Sequence, residues 1–201
     1  MLTLHYAPGT ISVASAIALN EAGVTHDLVR VDFASAEQTK PAYLAINPKG
    51  RVPALETPHG ILTETIAVLE FAAPGLVPAD PWDAAKMREI MTYIASTAHV
   101  NHAHKMRGYR WADAETSHAD MKAKIPQTMT DAADYLESKV AGPFALGDTL
   151  TLADAYLYPV VSWLPADGVL LDGYPKLAAF KATMEARPSV VKARADGVIP
   201  A

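Results

Sequence analysis

The sequence predicts an α/β N-terminal domain followed by an all-helical C-terminal domain. Three observations predict it. Short runs before Thr65 alternate apolar and polar residues with a period of two, whereas every long segment after Asp80 repeats its apolar positions at three and four, and the two textures meet at the Pro- and Gly-punctuated stretch "APGLVPADP". The domains that follow are residues 1–78, a linker at 79–85, and a helical domain at 86–201.

Each element has its local reason. "LTLHY" alternates as a strand, and "SVASAIALNEAG" is a small, apolar, helix-compatible run stopped at Gly23, a natural residue to follow a helix end. "HDLVRVDF" alternates again and places Val29, Val31 and Phe33 on one side. "VPALETP" and "GILT" read as a hairpin around Pro58, His59 and Gly60, and "TETIAVLEFAA" resumes helical spacing. Beyond the linker, Asp80 and Pro81 form an N-cap and first-position pair for a long helix whose buried face carries Met87, Ile90, Met91, Ile94 and Ala98. Met121, Ile125, Met129, Ala132, Leu136 and Val140 mark a second stripe, within which Pro126 predicts a kink or an early break. "TLADAYLY" and "YPKLAAFKATMEA" supply two more helices, and Thr151 with Asp154 forms a capping box assigned to folding.

Composition narrows the function classes. Half of the 201 residues are hydrophobic, enough to bury about 70% of the unfolded-chain surface. The formal charge is −5 and no block of like charge occurs, which argues against nucleic acid and anionic membrane as partners and for a small molecule. No apolar run approaches the ~18 residues of a membrane span, and "MLTLHYAPGTIS" lacks the features of a signal peptide, so a cytoplasmic address is expected. There is no cysteine, which rules out thiolate metal sites and any mechanism in which the protein supplies the sulfur nucleophile.

The stretch "NPKGRVPALETPHGILTET" sets a proline inside a strand-like run. Proline in a strand belongs at an edge, a bulge or a strand start, and a cis bond at Val52-Pro53 would turn the unpaired N–H and C=O of Val52 outward, toward an extended peptide. Glu64 and Thr65 open the next helix, whose free N–H groups and positive dipole end suit a carboxylate. A peptide-like acid fits both places.

These residues carry a resemblance. "NPKGRVPALET" with "TETIAVLEF" resembles the glutathione-binding half of the cytosolic glutathione transferases, and "TLADAYLY" and "YPKLAAFKATMEARPSVVKA" resemble that family's last two conserved helices, with the bacterial beta class nearest. The resemblance implies a thioredoxin-like N-terminal domain with a mixed four-stranded sheet, an all-α C-terminal domain, a homodimer, and glutathione as co-substrate without a metal. It further implies that Val52 pairs with the cysteinyl backbone of glutathione, that Pro53 is cis, and that Glu64 and Thr65 hold the γ-glutamyl end. Lys40 or Arg51 would meet the glycine carboxylate, while Lys49 reads as a solvated loop cation.

The chemistry departs from the apparent relatives. The beta-class pattern Tyr-x-Pro-Gly-x-Cys-Ser becomes "YAPGTIS", with Ile11 in the cysteine position. The thiolate of glutathione must then be stabilised by hydroxyls and helix N-terminal amides, by about two pKa units or roughly 2.7 kcal/mol. Ser12 is the first candidate donor, followed by Thr10 and Tyr6, although Ser and Thr near a helix start also serve as plain N-caps.

"HVNHAHK" invites a metal reading, but His99 and His102 lie about 60° apart on a helix and His104 about 140° from His99, so the three do not converge. By resemblance this helix lines the second-substrate pocket, with His99, His102, Met106, Tyr109 and Trp111 as lining candidates. The function expected is transfer of glutathione to a small electrophile. Two alternatives stay open: a glutathione-binding carrier or interaction partner with little catalysis, which keeps Val52, Pro53, Glu64 and Thr65 but can dispense with a sulfur-facing hydroxyl, and a glutathione-dependent isomerase or peroxidase, which uses the same thiolate.

Overall fold

A computed structural model describes residues 1–200, in two compact units: residues 1–79 together with the chain from Met184 onward, and residues 80–183. Ala201, the end of the expected helical domain, lies outside the described residues.

The first unit holds β1 (Leu2–Tyr6), α1 (Ser12–Glu21), β2 (His26–Arg30), α2 (Pro41–Leu44), β3 (Ala54–Thr57), β4 (Gly60–Thr63) and α3 (Thr65–Ala72). The four strands form one mixed sheet in the order β2-β1-β3-β4, with β1 parallel to β2 and antiparallel to β3. The α/β reading of this half therefore holds. α1 ends as expected: Gly23 adopts φ +64 and the Val24 N–H bonds the Leu19 carbonyl at 3.0 Å. One facing differs. β2 stops at Arg30, so Val29 stays 42% exposed on an edge strand while Val31 turns inward to 1%. The alternation of "LVRVDF" continues past the point where the strand geometry that would give it meaning has ended.

The second unit holds α4 (Pro81–Tyr93), a π-helical stretch at Ile94–Ala98, α5 (His99–Arg107), α6 (Glu115–Lys139), α7 (Leu152–Trp163) and most of α8 (Pro175–Glu185). Asp80 caps α4 by accepting from the Trp82 and Asp83 N–H groups at 2.9 and 3.0 Å, so residues 81–85 are helix rather than linker. Met87, Ile90, Met91, Ile94 and Ala98 are all buried, as their spacing requires. α6 runs unbroken through Pro126, which corrects the expected early break: Ile125, Met129, Ala132 and Leu136 are buried on both sides of the proline, and their packing outweighs the lost N–H. The capping box is formed, with the Asp154 carboxylate accepting from the Thr151 N–H at 2.7 Å and the Ala145 N–H at 2.6 Å.

α4 and α6 are also tied by charge. Glu89 accepts from Lys139 Nζ at 2.8 Å, from Lys86 Nζ, and from the Tyr135 hydroxyl at 3.2 Å. Hydrogen bonds from Lys139 and then Lys86 hold its carboxyl at about 2, against an ordinary 4.5. A depressed carboxyl stabilises the fold above its unfolded value and loses that effect as pH falls through its folded one. The stability advantage of the native chain over Glu89→Gln is therefore expected above pH 4.5 and to vanish as pH falls toward about 2, read from urea midpoints across that range.

The third helix of interest is α9 (Pro188–Ala195), which belongs to the first unit. This differs from the expected boundary, which gave all residues from 86 onward to the helical domain. The cause is a set of contacts to α1: Glu21 accepts from Arg187 Nε at 2.5 Å and Ser189 Oγ at 2.5 Å, and Asn20 Nδ2 donates to the Ser189 carbonyl at 3.1 Å.

Candidate functional site

Strand register brings the sequence-derived residues of the first unit to one end of the sheet. His5 pairs with Ala54 and Ala54 with Thr63, so the loop leaving β1, the approach to β3 and the β4–α3 junction adjoin. That end carries Tyr6 to Ser12, Arg51 to Pro53, and Glu64 with Thr65.

The Val52-Pro53 bond is cis. Among the described residues neither the N–H nor the C=O of Val52 joins a sheet or turn hydrogen bond. Its side chain is buried with Ala7, Val31 and Tyr43, against Phe33 and Ile46. That small apolar cluster joins the loop after β1 to the approach to β3. The preceding peptide is fastened from its other side. Tyr43 Oη and Asn47 Nδ2 both donate to the Arg51 carbonyl, at 2.8 and 2.7 Å, and in a trans peptide the Val52 N–H points opposite to that oxygen. Burial pushes the Tyr43 phenol up to about 12, so it remains a donor at any working pH. Asn47 is itself buried and takes the Lys49 N–H on Oδ1 at 3.2 Å. Neither Tyr43 nor Asn47 is a candidate on sequence grounds, although Asn47-Pro48 is a turn signal of the kind that could have found the second.

At the β4–α3 junction Glu64 sits at φ 70, ψ 120, a conformation that costs a non-glycine residue about 1–3 kcal/mol. It leaves the start of α3 without a side-chain cap, and the Thr65 hydroxyl has no hydrogen-bond partner among the described residues. The open amides and dipole make this an anion-accepting end. Lys49 is exposed on its loop, as expected of a solvated cation, and is also paired at the surface: its Nζ donates to Glu64 Oε1 and Thr63 Oγ1, both at 2.6 Å. Lys40 and Arg51 are exposed and enter no ion pair among the described residues.

The loop after β1 separates the three hydroxyl candidates by burial. Ser12 is 0% exposed; its Oγ accepts from the Ala7 N–H at 3.2 Å and lies 3.2 Å from the Ala7 carbonyl and 2.8 Å from Thr10 Oγ1. It cannot reach a ligand directly, which corrects its placement as first candidate. Thr10 stands outside it, half-buried, with Oγ1 donating to the Ala7 carbonyl at 2.8 Å. Ile11 is buried, and Tyr6 is a packed strand residue whose carbonyl accepts from the Val31 N–H at 2.7 Å.

In the second unit His102 stacks on Trp163, ring centroids 4.1 Å apart, and its Nδ1 lies 2.5 Å from Asp167 Oδ2. Burial pushes the Asp167 carboxyl up, but hydrogen bonds and charge from His102 and then Lys105 outweigh it and hold the group below its ordinary value. His99 lies 5.4 Å from the same indole. Met106, Tyr109 and Trp111 are 76, 59 and 45% exposed, and Trp111 meets the His104 ring edge-on at 4.5 Å. Among the described residues no His, Asp and Glu cluster could hold a metal ion, and no helix is long and apolar enough to cross a membrane.

Comparison with known proteins places this geometry. Residues 1–74 match the glutathione S-transferase N-terminal domain and residues 101–195 the C-terminal domain of that family. The chain is 31% identical to glutathione S-transferase GstA of Escherichia coli O157:H7 over 94% of its length and 95% of that protein's. It is 30% identical to the maleylpyruvate isomerase of a Ralstonia species, covering 83% of each. A glutathione transferase homologue from Sulfitobacter, solved with bound glutathione, superposes with a TM-score of 0.97 at 55% identity, over 98% of this chain and 99% of that one. A beta-class glutathione S-transferase from Sphingomonas chungbukensis gives 0.82 at 27% identity, over 98 and 99%. With both domain models matched in order along a chain of this fold, the protein belongs to the glutathione S-transferase family.

Proposed function

We propose that the protein binds glutathione at this end of the sheet and holds its thiol as a thiolate for attack on a small electrophile. The observation that carries the reading is the meeting, at one sheet end, of an unpaired backbone edge at Val52, an open helix start at Thr65 and a half-buried Thr10 whose hydroxyl lies over the Ala7 carbonyl and Ser12. A tripeptide thiol with carboxylates at both ends has one group for each.

Val52 pairs with the cysteinyl backbone, the Thr65 hydroxyl and the first amides of α3 take the γ-glutamyl carboxylate, and Glu64 takes the ammonium group beside it. Lys40 or Arg51 meets the glycine carboxylate. For the sulfur, hydrogen counting favours a relay: the Ala7 N–H donates to Ser12, Ser12 to Thr10, and Thr10 to the thiolate. When the Thr10 hydroxyl turns outward, the Ala7 carbonyl keeps the Thr10 N–H, now at 3.3 Å. The amide of Ile11 has no backbone partner among the described residues and adds a second donor beside it. The protein acts as a homodimer in the cytoplasm in this reading.

Calorimetric titration with glutathione, ultraviolet titration of the bound thiol, and turnover of an aryl halide test the proposal together. Saturable binding with thiolate present near pH 7 and turnover are expected; binding without thiolate makes the protein a carrier, and no binding removes the reading. Isomerisation of a cis-olefinic acid is the second chemistry worth assaying, because an isomerase stands among the relatives and the same thiolate would serve it.

Tyr43→Phe tests the backbone edge. It removes one of the two donors on the Arg51 carbonyl while keeping the ring, so glutathione affinity is expected to fall about two- to tenfold by calorimetry.

A further inference from the structure

The stretch Val198–Pro200 lies far along the chain from the hydroxyl loop, yet the two are in contact. The Gly9 N–H donates to the Val198 carbonyl at 3.0 Å. Pro200 packs over the same residue: a Cβ built on Gly9 would stand 3.2 Å from Pro200 Cγ, and Gly9 holds φ +69, where only glycine is unstrained. Val198 is fully buried and its N–H closes onto the Ala193 carbonyl at 2.9 Å, so the stretch is itself anchored at the end of α9.

The other end of α9 is anchored too. Arg187 and Ser189 bind the Glu21 carboxylate at the last residue of α1, and Asn20 holds the Ser189 carbonyl. α9 and the turn after it thus run along α1 from its last residue to the loop before its first. Within that loop the Thr10 N–H bond to the Ala7 carbonyl is long, at 3.3 Å, and the hydroxyls of Thr10 and Ser12 bond only within the loop and α1 start. The Gly9 amide is therefore a fastening of this loop to a distant part of the chain, one residue before Thr10.

We infer that Val198–Pro200 is a positioning element for Thr10, holding the loop so that the hydroxyl oxygen is already in place when glutathione arrives and only its proton has to turn from the Ala7 carbonyl to the sulfur. The inference rests on the reading of Thr10 as the sulfur donor. A hydrogen bond is worth its full strength only when donor and acceptor are held in place, and a misplacement on the order of 1 Å is enough to forfeit much of it. Among the described residues the tail makes no backbone hydrogen bond to Val52, Glu64 or Thr65, so its loss should touch thiol ionisation and leave tripeptide binding nearly intact.

The test is a chain shortened after Gly197, with Pro200→Gly as a milder variant and Thr10→Val as reference. The fraction of bound glutathione present as thiolate at pH 7 is read by ultraviolet titration, and affinity by calorimetry. The shortened chain is expected to lose about two- to tenfold in the thiolate-to-thiol ratio, with affinity changed less than about twofold and Pro200→Gly intermediate. In the Thr10→Val background the shortening should add nothing to the thiol ratio, an interaction that a general loss of stability would not produce. An unchanged ratio in a shortened chain that still binds glutathione overturns the inference, as does an additive effect in the double variant. If the shortened chain does not fold, an unchanged ratio in Pro200→Gly overturns it. If Thr10→Val itself leaves the ratio unchanged, the donor assignment has failed, and the positioning role of the tail fails with it.

Discussion

Replacing Thr10 with valine is expected to raise the pKa of the bound glutathione thiol by about one to two units, the equivalent of one hydrogen bond to a charged acceptor at roughly 1.5–3 kcal/mol. Valine keeps the shape of threonine, so the loop and the buried Ser12 beneath it are retained. Binding through Val52 and Thr65 should change little, while the thiolate absorbance at pH 7 falls and turnover falls with it. Ser12→Ala should behave differently. It strips the Ala7 N–H of a buried acceptor and costs about 1–3 kcal/mol of stability, with a smaller effect on the thiol because the donor of the proposed relay, Thr10, is retained. Should Ser12→Ala shift the thiol more than Thr10→Val, the outer and inner roles would have to be exchanged.

Asp154→Ala is expected to cost about 3–5 kcal/mol and to lower the thermal midpoint by on the order of 10 °C. The side chain is fully buried and accepts from the Ala145 N–H at 2.6 Å, the Thr151 N–H at 2.7 Å and the Thr151 hydroxyl at 3.0 Å. Burial raises its carboxyl above the ordinary value even with those donors present. Alanine leaves all three donors without an acceptor in a region closed to water, and the first turn of α7 loses its cap. Asp154→Asn keeps one acceptor and should lose distinctly less. Differential scanning calorimetry of the three proteins ranks them, and equal midpoints for wild type and Asp154→Ala would show that the capping box does not hold α7.

These two residues mark how far sequence reading reaches. Thr151 and Asp154 are three apart, and their capping roles follow from that spacing alone; the same is true of Asp80 with Pro81 and of the buried face of α4. The π-helical stretch at Ile94–Ala98 leaves that face buried even though it changes the local winding, because the apolar positions on both sides still point inward. The Ser12 and Thr10 hydroxyls, by contrast, are two residues apart at the junction of the loop with α1 and chemically alike. Which is outside depends on how the chain turns between β1 and α1, and no local pattern records it.

The sequence by itself determined the order and type of the four strands and of α1, α3, α4, α6, α7 and α8, the position of the Val52-Pro53 bond, the opening of α3 at Thr65 and the absence of a protein thiol. All of these follow from residue identity or from spacings of a few residues, where backbone geometry and turn chemistry act directly. Only the tertiary structure decided that Thr10 shields Ser12, that Tyr43 and Asn47 hold the Arg51 carbonyl, and that residues after Met184 join the first unit. The last depends on a pair 166 positions apart, Glu21 and Arg187, whose attraction exists only once packing of α9 against α1 has brought them within hydrogen-bonding distance. Such interactions depend on distance in space, which sequence separation does not encode.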